Sequence, residues 1–272
     1  MRRNARHRIA AATWKAPKEG SLYGRLELDA GEALEYLKAV SAATGVRVTI
    51  THLVGKAVGL ALAESPDLNA RVVLGRIRRL TSIDIGFVVS TRGHGDLSSV
   101  RIRNVDTTPL VDIATILETR AAPVREGKDA DFGRSSNVAS RVPYPLTRPV
   151  LWACGAVQSG LGMAIPPLGL KADGFGGAMV SSVAAFGIEQ GFGALVPFSR
   201  AGTMVLVGVV KDRAVVRDGA VVSRPMIDLG ITLDHRLVDG SQIGAAADVL
   251  RRVVEHPLET LGPWDPRDAD AS

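Results

Sequence analysis

The feature that most constrains the fold is a two-residue turn. "RAVVRDGAVVSR" sets Asp218-Gly219 between two valine pairs, Val215-Val216 and Val221-Val222. An Asp-Gly turn of this length takes positive φ at both central residues, which matches the right-handed twist of flanking strands. Two antiparallel strands must meet here. A chain carrying this hairpin does not fold into a purely parallel sheet, so the sheet is expected to be antiparallel or mixed.

The rest of the chain fits that frame. "SLYGRLELD" alternates, with Leu22, Leu26 and Leu28 against Tyr23, Arg25 and Glu27. "AGEALEYLKAVSAATG" has helical spacing at Ala33, Leu34, Leu37 and Val40, and Gly45 is its expected C-cap. "THLVGKAVGLALAESP" reads as a second helix, with Thr51 as N-cap and Pro66 as stop. Strands follow in "ARVVLG", "RIRRL", "IDIGFVVST" and "SSVRIRNVD", then a helix in "PLVDIATILETRAAP". Residues 126–140 are polar and read as a surface loop. Further strands are expected in "GAMVSSV", "TMVLVGVV", the hairpin itself and a separate "MIDLGITLD". The last helix, "SQIGAAADVLRRVVEHP", puts Ile243, Ala247, Leu250 and Val254 on one face. Helices and strands mix without strict alternation, which specifies α+β with a mixed sheet and flanking helices.

Composition narrows the function classes. The 272 residues are 46% hydrophobic, so the chain can build a sizeable core. The net charge of +5 is scattered, with clusters in "MRRNARHR" and "RIRRL" and no nucleic-acid motif. An anionic small substrate accounts for it better than nucleic acid does. A single cysteine, Cys154, excludes an intrachain disulfide and reads as a small buried hydrophobe, so a reducing, cytoplasmic setting is expected. No metal motif occurs. The Arg-rich start, "RRNARHRIAAATWKA", has transit-peptide composition but is read as the first helix of the domain. Residues 149–170 carry no charge, yet Pro166-Pro167 cut the run short of the ~20 residues a membrane span needs. A buried or partner-facing helix is expected there.

Chemistry concentrates in "GITLDHRLVDGSQIG". A strand end is a rigid mount, and a following turn exposes what it carries. His235, set between Asp234 and Arg236, can take and return a proton near neutral pH. Asp234 and Asp239 supply negative charge, and Arg236 an anchoring counterion. Gly240 allows the turn into the last helix, which Ser241 is placed to cap. The local residues equally suit a structural His-Asp-Arg network that closes the turn.

"DHRLVDG" resembles the DHRxxDG signature of the catalytic domain of dihydrolipoamide acyltransferases, the E2 components of 2-oxoacid dehydrogenase complexes. Chloramphenicol acetyltransferases share that fold with a related motif. "ARHRIA", "VTITHLVGKAVGLALAESPDLNA" with its P-x-L-N segment, "IDIGFVVST", "IRNVD" and "VVRDGAVVSRPMIDLGITLDHRLVDG" are similar to family segments in the same order. The resemblance implies a chloramphenicol acetyltransferase-like fold, a homotrimer and acyl transfer between coenzyme A and a dihydrolipoamide thiol. It implies His235 as general base and Ser181, in "MVSSVAAFG", as donor to the tetrahedral oxyanion, with Ser182 as the register alternative. Asp239 takes the motif's second acidic position and holds the turn or the base. Asp234 and Arg236 are expected to pair. In the family the histidine of one subunit faces the serine of its neighbour, so a monomer is expected to be inactive.

Three departures set further expectations. The sequence opens in the catalytic part, so one domain is read over residues 1–265, with a polar tail over 266–272 and no lipoyl or subunit-binding domain. A lipoyl group would come from a separate protein. The strand before "IRN" carries Ser98, Ser99 and Arg101 where an apolar channel wall is expected. Residues 137–177 read as an insertion that serves assembly or lines an acyl pocket, and a cage beyond the trimer is left open. The alternatives to the thiol acyltransferase are an acyl-CoA:hydroxyl or amine transferase and an idle scaffold that keeps the motif for turn stability.

Overall fold

In the computed structural model, residues 20–73, 75–90, 97–126, 142–170 and 174–263 are described. The Arg-rich N-terminal segment, most of the 126–140 loop and the tail lie outside them.

Nine strands and six α-helices are named here among the described residues. Strand β1 (Ser21–Asp29) leads into α1 (Gly31–Thr44) and α2 (Ile50–Glu64). A short hairpin, β2 (Ala70–Val73) and β3 (Arg76–Arg79), precedes β4 (Ile85–Ser90), β5 (Leu97–Ile102) and α3 (Leu110–Arg125). Next come α4 (Tyr144–Gly155), β6 (Ala178–Ser182) and β7 (Thr203–Val207). The chain finishes with β8 (Lys211–Arg217), β9 (Ala220–Asp234), α5 (Gly240–Glu255) and α6 (Pro257–Leu261).

Seven strands form one mixed sheet in the order β1-β9-β7-β6-β4-β5, with β8 pairing the outer half of β9. Strands β4, β6 and β7 are mutually parallel, whereas β9 runs against β7. The Asp218-Gly219 turn forms as expected, with φ of 50° and 79°. The two C-terminal strands expected after it are one. Strand β9 runs for 15 residues straight through Pro225. The residue after β1 uses the proline's carbonyl, which accepts the Ala30 N–H at 2.8 Å, so the missing donor costs little.

One face of the sheet carries the main core. Leu28, Phe87, Val180, Val205, Leu229 and Leu233 from the strands meet Leu53, Val54, Leu62, Leu250 and Val254 from α2 and α5. Gly55 lets the two layers approach, since a methyl group there would run into the Phe87 ring. The other face is thinner. Met179 and Met204 are covered by Phe175, Leu195 and Val196 from the connecting segments.

Two details of the helices differ from expectation. Thr49, not Thr51, is the N-cap of α2, because His52 stands three residues on and its Nδ1 accepts the Thr49 N–H at 3.1 Å. In α1, Leu34 is exposed and Ala33, Leu37 and Val40 form the buried stripe.

The uncharged 149–170 run is not one long helix. Helix α4 passes into a π-helical turn at Ala156–Gly160, and Pro166–Leu168 form a 3₁₀ turn. Among the described residues no helix is long and apolar enough to cross a membrane. Arginines clamp the turn from below. Arg71, almost fully buried, donates to the Ser159 carbonyl at 2.6 Å, and Arg78 reaches the Gly160 carbonyl at 3.4 Å. Cations at a helix C-terminus complement its unpaired carbonyls. Leu146, Trp152, Leu161 and Met163 remain exposed on this segment.

Candidate functional site

His235 is the first residue beyond β9. Its N–H donates to the Gly20 carbonyl at 2.7 Å, which fixes the turn, and its ring is exposed. Nδ1 lies 2.8 Å from the Val238 carbonyl. A carbonyl can only accept, so in the neutral ring Nδ1 carries the proton and Nε2 presents its lone pair outward. This is the geometry a surface-facing base requires.

The surrounding motif residues divide by role. Asp234 and Arg236 pair as expected, with Nη2–Oδ2 at 2.5 Å and Nε–Oδ1 at 2.8 Å, and the Arg236 N–H also returns to Asp234. They close the turn on themselves. Asp239, rather than Ser241, is the N-cap of α5. Its Oδ1 accepts from the Ser241 hydroxyl at 2.7 Å and from the Ser241 and Gln242 N–H groups at 3.0 and 3.4 Å. The Ser241 hydroxyl, then these N–H groups, hold the Asp239 carboxyl below the usual carboxylate range, with a smaller contribution from the charge of His235. Asp239 therefore serves the turn through hydrogen bonds to α5. Gly240 is the first helical residue.

Gln242 completes a capping box by accepting the Asp239 N–H at 3.0 Å. Sequence reasoning passed over it, although Asp239 and Gln242 have the Ncap–N3 spacing that signals such a box.

Ser181 and Ser182 sit on β6 and point to opposite faces. Ser182 follows Ala178 and Val180 toward the main core, and its Oγ accepts the Ala184 N–H at 3.4 Å. Ser181 shares the thinner face with Met179 and pairs with Leu206 of β7, which pairs with Gly230 of β9. From Gly230 to His235 is five residues, or roughly 17 Å along the strand, and two strand spacings add roughly 10 Å sideways. One chain does not bring Ser181 and His235 together.

The strand expected to form the channel wall is partly engaged elsewhere. Ser99 and Arg101 face the same side as Ser181, by the pairings Val88↔Ser99, Gly86↔Arg101 and Gly86↔Met179. Arg101 lies 3.6 Å from the buried Asp84, and Ser99 Oγ is buried against Gly86. Ser98 points to the opposite face. An apolar cavity of about 80 Å³ between the sheet and helices α2 and α5 involves Leu62, Val205 and Ile231. A basic concavity of about 320 Å³ is lined by Arg101, Arg103 and Arg120. Neither is lined by His235 or Ser181.

A family model described as 2-oxoacid dehydrogenases acyltransferase (catalytic domain) matches residues 1–132 and 171–262. The unmatched stretch overlaps the segment read as an insertion. The chain is 24% identical over 213 residues to the lipoamide acyltransferase component of the branched-chain alpha-keto acid dehydrogenase complex of Bacillus subtilis, covering 78% of this chain and 40% of that protein. Over 52 residues it is 40% identical to the mitochondrial dihydrolipoyllysine-residue succinyltransferase component of the 2-oxoglutarate dehydrogenase complex of Saccharomyces cerevisiae, covering 19% of this chain and 11% of that one. It thus spans about 40% of the length of the first-named relative. Among solved structures, a probable dihydrolipoamide acetyltransferase from Listeria monocytogenes superposes with a TM-score of 0.67 at 21% identity, over 91% of this chain and 88% of that one. The Azotobacter vinelandii dihydrolipoamide acetyltransferase gives 0.67 at 20% identity, over 93% and 88%. A chloramphenicol acetyltransferase gives 0.50 at 14% identity, over 92% and 94%.

Proposed function

From the premise that this chain belongs to the family of 2-oxoacid dehydrogenase acyltransferase catalytic domains, we propose that it moves an acyl group between coenzyme A and a dihydrolipoamide-type thiol. The single observation that carries this reading is the outward Nε2 of His235, fixed by the Nδ1–Val238 hydrogen bond.

The chemistry follows from what a thiol needs. Near neutral pH a thiol with a pKa of about 8.5 is mostly protonated and a poor nucleophile. Nε2 of His235 takes the thiol proton as the sulfur attacks the thioester carbonyl carbon. The carbonyl oxygen becomes an oxyanion and accepts the hydroxyl proton of Ser181 as a hydrogen bond. Collapse breaks the carbon–sulfur bond of the donor thioester, and the departing thiolate recovers the proton from Nε2. Nothing is consumed beyond the exchange of one thiol for another.

Ser181 and His235 are too far apart in one chain to share this step, so the complete site is intermolecular. A homotrimer, with each His235 facing a neighbour's Ser181, satisfies the geometry. The acyl carrier is a lipoyl group borne outside this catalytic domain. In the Azotobacter protein, a serine, a histidine and an asparagine have been investigated for their role in catalysis. There the histidine precedes the asparagine by four positions, as His235 precedes Asp239, and it follows the serine at nearly the same interval.

The test is coenzyme A-dependent acyl transfer to free dihydrolipoamide. His235→Ala should lower kcat by about 10²–10⁴-fold, the range of a general base. Ser181→Ala should lower it by about 10²–10³-fold, the range of one oxyanion donor. Full activity in His235→Ala, or no transfer by wild type from any of several acyl thioesters, sinks the assignment.

A further inference from the structure

The hydrogen bond that sets His235 does not end at Val238. The Val238 carbonyl and the Asp239 N–H belong to one peptide group. The carbonyl side holds His235 Nδ1 at 2.8 Å, and the N–H side is held by Gln242 Oε1 at 3.0 Å. The same Gln242 side chain donates through Nε2 to Asp67 Oδ2 at 2.9 Å. Asp67 lies in the loop between α2 and β2, and Arg79 of β3 grips its other oxygen through Nε and Nη2 at 2.9 and 2.5 Å.

Each link admits one orientation. A carboxylate only accepts, so Gln242 must turn its NH₂ toward Asp67. That leaves its carbonyl for the Asp239 N–H. The peptide then offers its own carbonyl to the ring, and Nδ1 must be the protonated nitrogen. The Val238 carbonyl accepts from the ring in any case; what Gln242 and Asp67 set is where the peptide, and so that carbonyl, points. Amide and peptide dipoles aligned head to tail in this way polarise one another.

We propose that Gln242 and Asp67 are positioning residues for His235, which fix its Nδ1–H tautomer and ring direction through the Val238–Asp239 peptide. The proposal rests on the assignment of His235 as the base. Neither residue bonds the imidazole directly, and each acts through the Val238–Asp239 peptide. Their function is that of the third member of a nucleophile–base–orienter set, with two amide groups interposed between carboxylate and imidazole. Among the described residues, the charges near the turn include the Asp234–Arg236 pair and Asp239 on its own segment, and Arg79 from β3. Among the described residues, Gly20 just before β1 lies against the base of the side chain, its carbonyl accepting the His235 N–H. None of these substitutes for the relay. Asp234 is held by Arg236, and Asp239 is held by the start of α5.

The experiment reads the tautomer directly. Ring ¹⁵N shifts of His235 are measured in the full chain and assigned by their loss in His235→Ala. Wild type should show Nδ1–H in the neutral ring. Gln242→Ala should give a mixture of the two tautomers, with kcat about tenfold lower and KM within about twofold. Asp67→Ala leaves the capping box intact and should shift the ring in the same direction, and it serves where Gln242→Ala fails to fold. Asp67→Asn keeps the size but has one oxygen, which Arg79 holds, so its NH₂ opposes that of Gln242 and it should shift the ring as Asp67→Ala does. Ser241→Ala removes one cap hydrogen bond without touching the relay, and should leave ring and kcat unchanged. An unshifted ring in both Gln242→Ala and Asp67→Ala overturns the relay. A shifted ring together with a fully active His235→Ala overturns instead the catalytic role of the base.

Discussion

Ser181 and His235 lie at opposite ends of the sheet, because β6 and β7 run antiparallel to β9. If each acts, each acts with a partner from another copy. Ser181→Ala and His235→Ala proteins should then be nearly inactive alone and active together. Random mixing after co-refolding restores about a quarter of the intersubunit sites in a cyclic oligomer. A coenzyme A transfer assay on the mixture checks this. Activity no greater than the average of the two variants argues that the two residues serve one chain.

His52 should make the fold acid-sensitive well above the carboxylate range. Burial, acting against a smaller contribution from Glu118, lowers its pKa from 6.5 to about 4. Its Nδ1 accepts the Thr49 N–H, so protonation breaks the cap of α2. The folded state binds fewer protons than the unfolded state between these values. Stability is therefore full above pH ~6.5 and falls as the pH drops toward 4, by up to ~3 kcal/mol. His52→Asn keeps an acceptor for Thr49 but does not titrate. Its urea midpoint should change less between pH 7 and 4.5 than that of wild type.

Asp228 anchors the second acid-sensitive element. It is 2% exposed and holds Arg25 at 2.5 Å and Arg213 at 2.6 Å, with Gln190 at 3.3 Å. Burial alone would raise its pKa, but the two guanidinium groups outweigh it and hold the carboxyl below the usual range. A lowered carboxylate pKa adds stability above pH ~4 that is lost as the pH falls through the folded value. Asp228→Ala removes the shared partner of two arginines that keep Glu27 and, for Arg213, Glu189, and should cost about 1–3 kcal/mol. Chemical denaturation at pH 7 reads this, and a loss under 1 kcal/mol would show that water solvates the arginines after all.

Gly230 has no room for a side chain. Its Cβ would run into the Gly191 carbonyl, where the segment after Ser181 crosses β9 backbone to backbone. Gly230→Ala should cost about 3 kcal/mol, in the overpacking range. It should also displace the 187–193 segment, which amide exchange would show as faster exchange there than in α2.

Much of this was legible in residue order. The Asp-Gly hairpin, the alternation in β1 and the exposed histidine at a strand end each follow from local rules that the structure obeys. The failures have local causes too. The 15 residues of β9 read in sequence as two strands on either side of Pro225, because a sequence does not say whether the ladder needs a residue's donor or its acceptor. Thr49 and Thr51 compete as caps in "VTITH", and the choice falls to His52 three positions beyond Thr49. Asp239 reads as holding the turn or the base, and its carboxylate is taken by the first turn of α5, a choice the sequence left open. Gln242 and Asp67 are 175 positions apart, and only the packing of α5 against the loop after α2 brings them within 2.9 Å.

The Val238–Asp239 peptide has a bearing on how this chain tolerates change. What holds the imidazole is a carbonyl and an N–H that every residue except proline supplies. Exchanging the side chain at position 238 leaves the carbonyl in place, and at position 239 only proline deletes the link outright. The orientation of the histidine is thus insulated from most substitutions in its own turn, and exposed to substitutions at a glutamine and an aspartate that lie outside the motif.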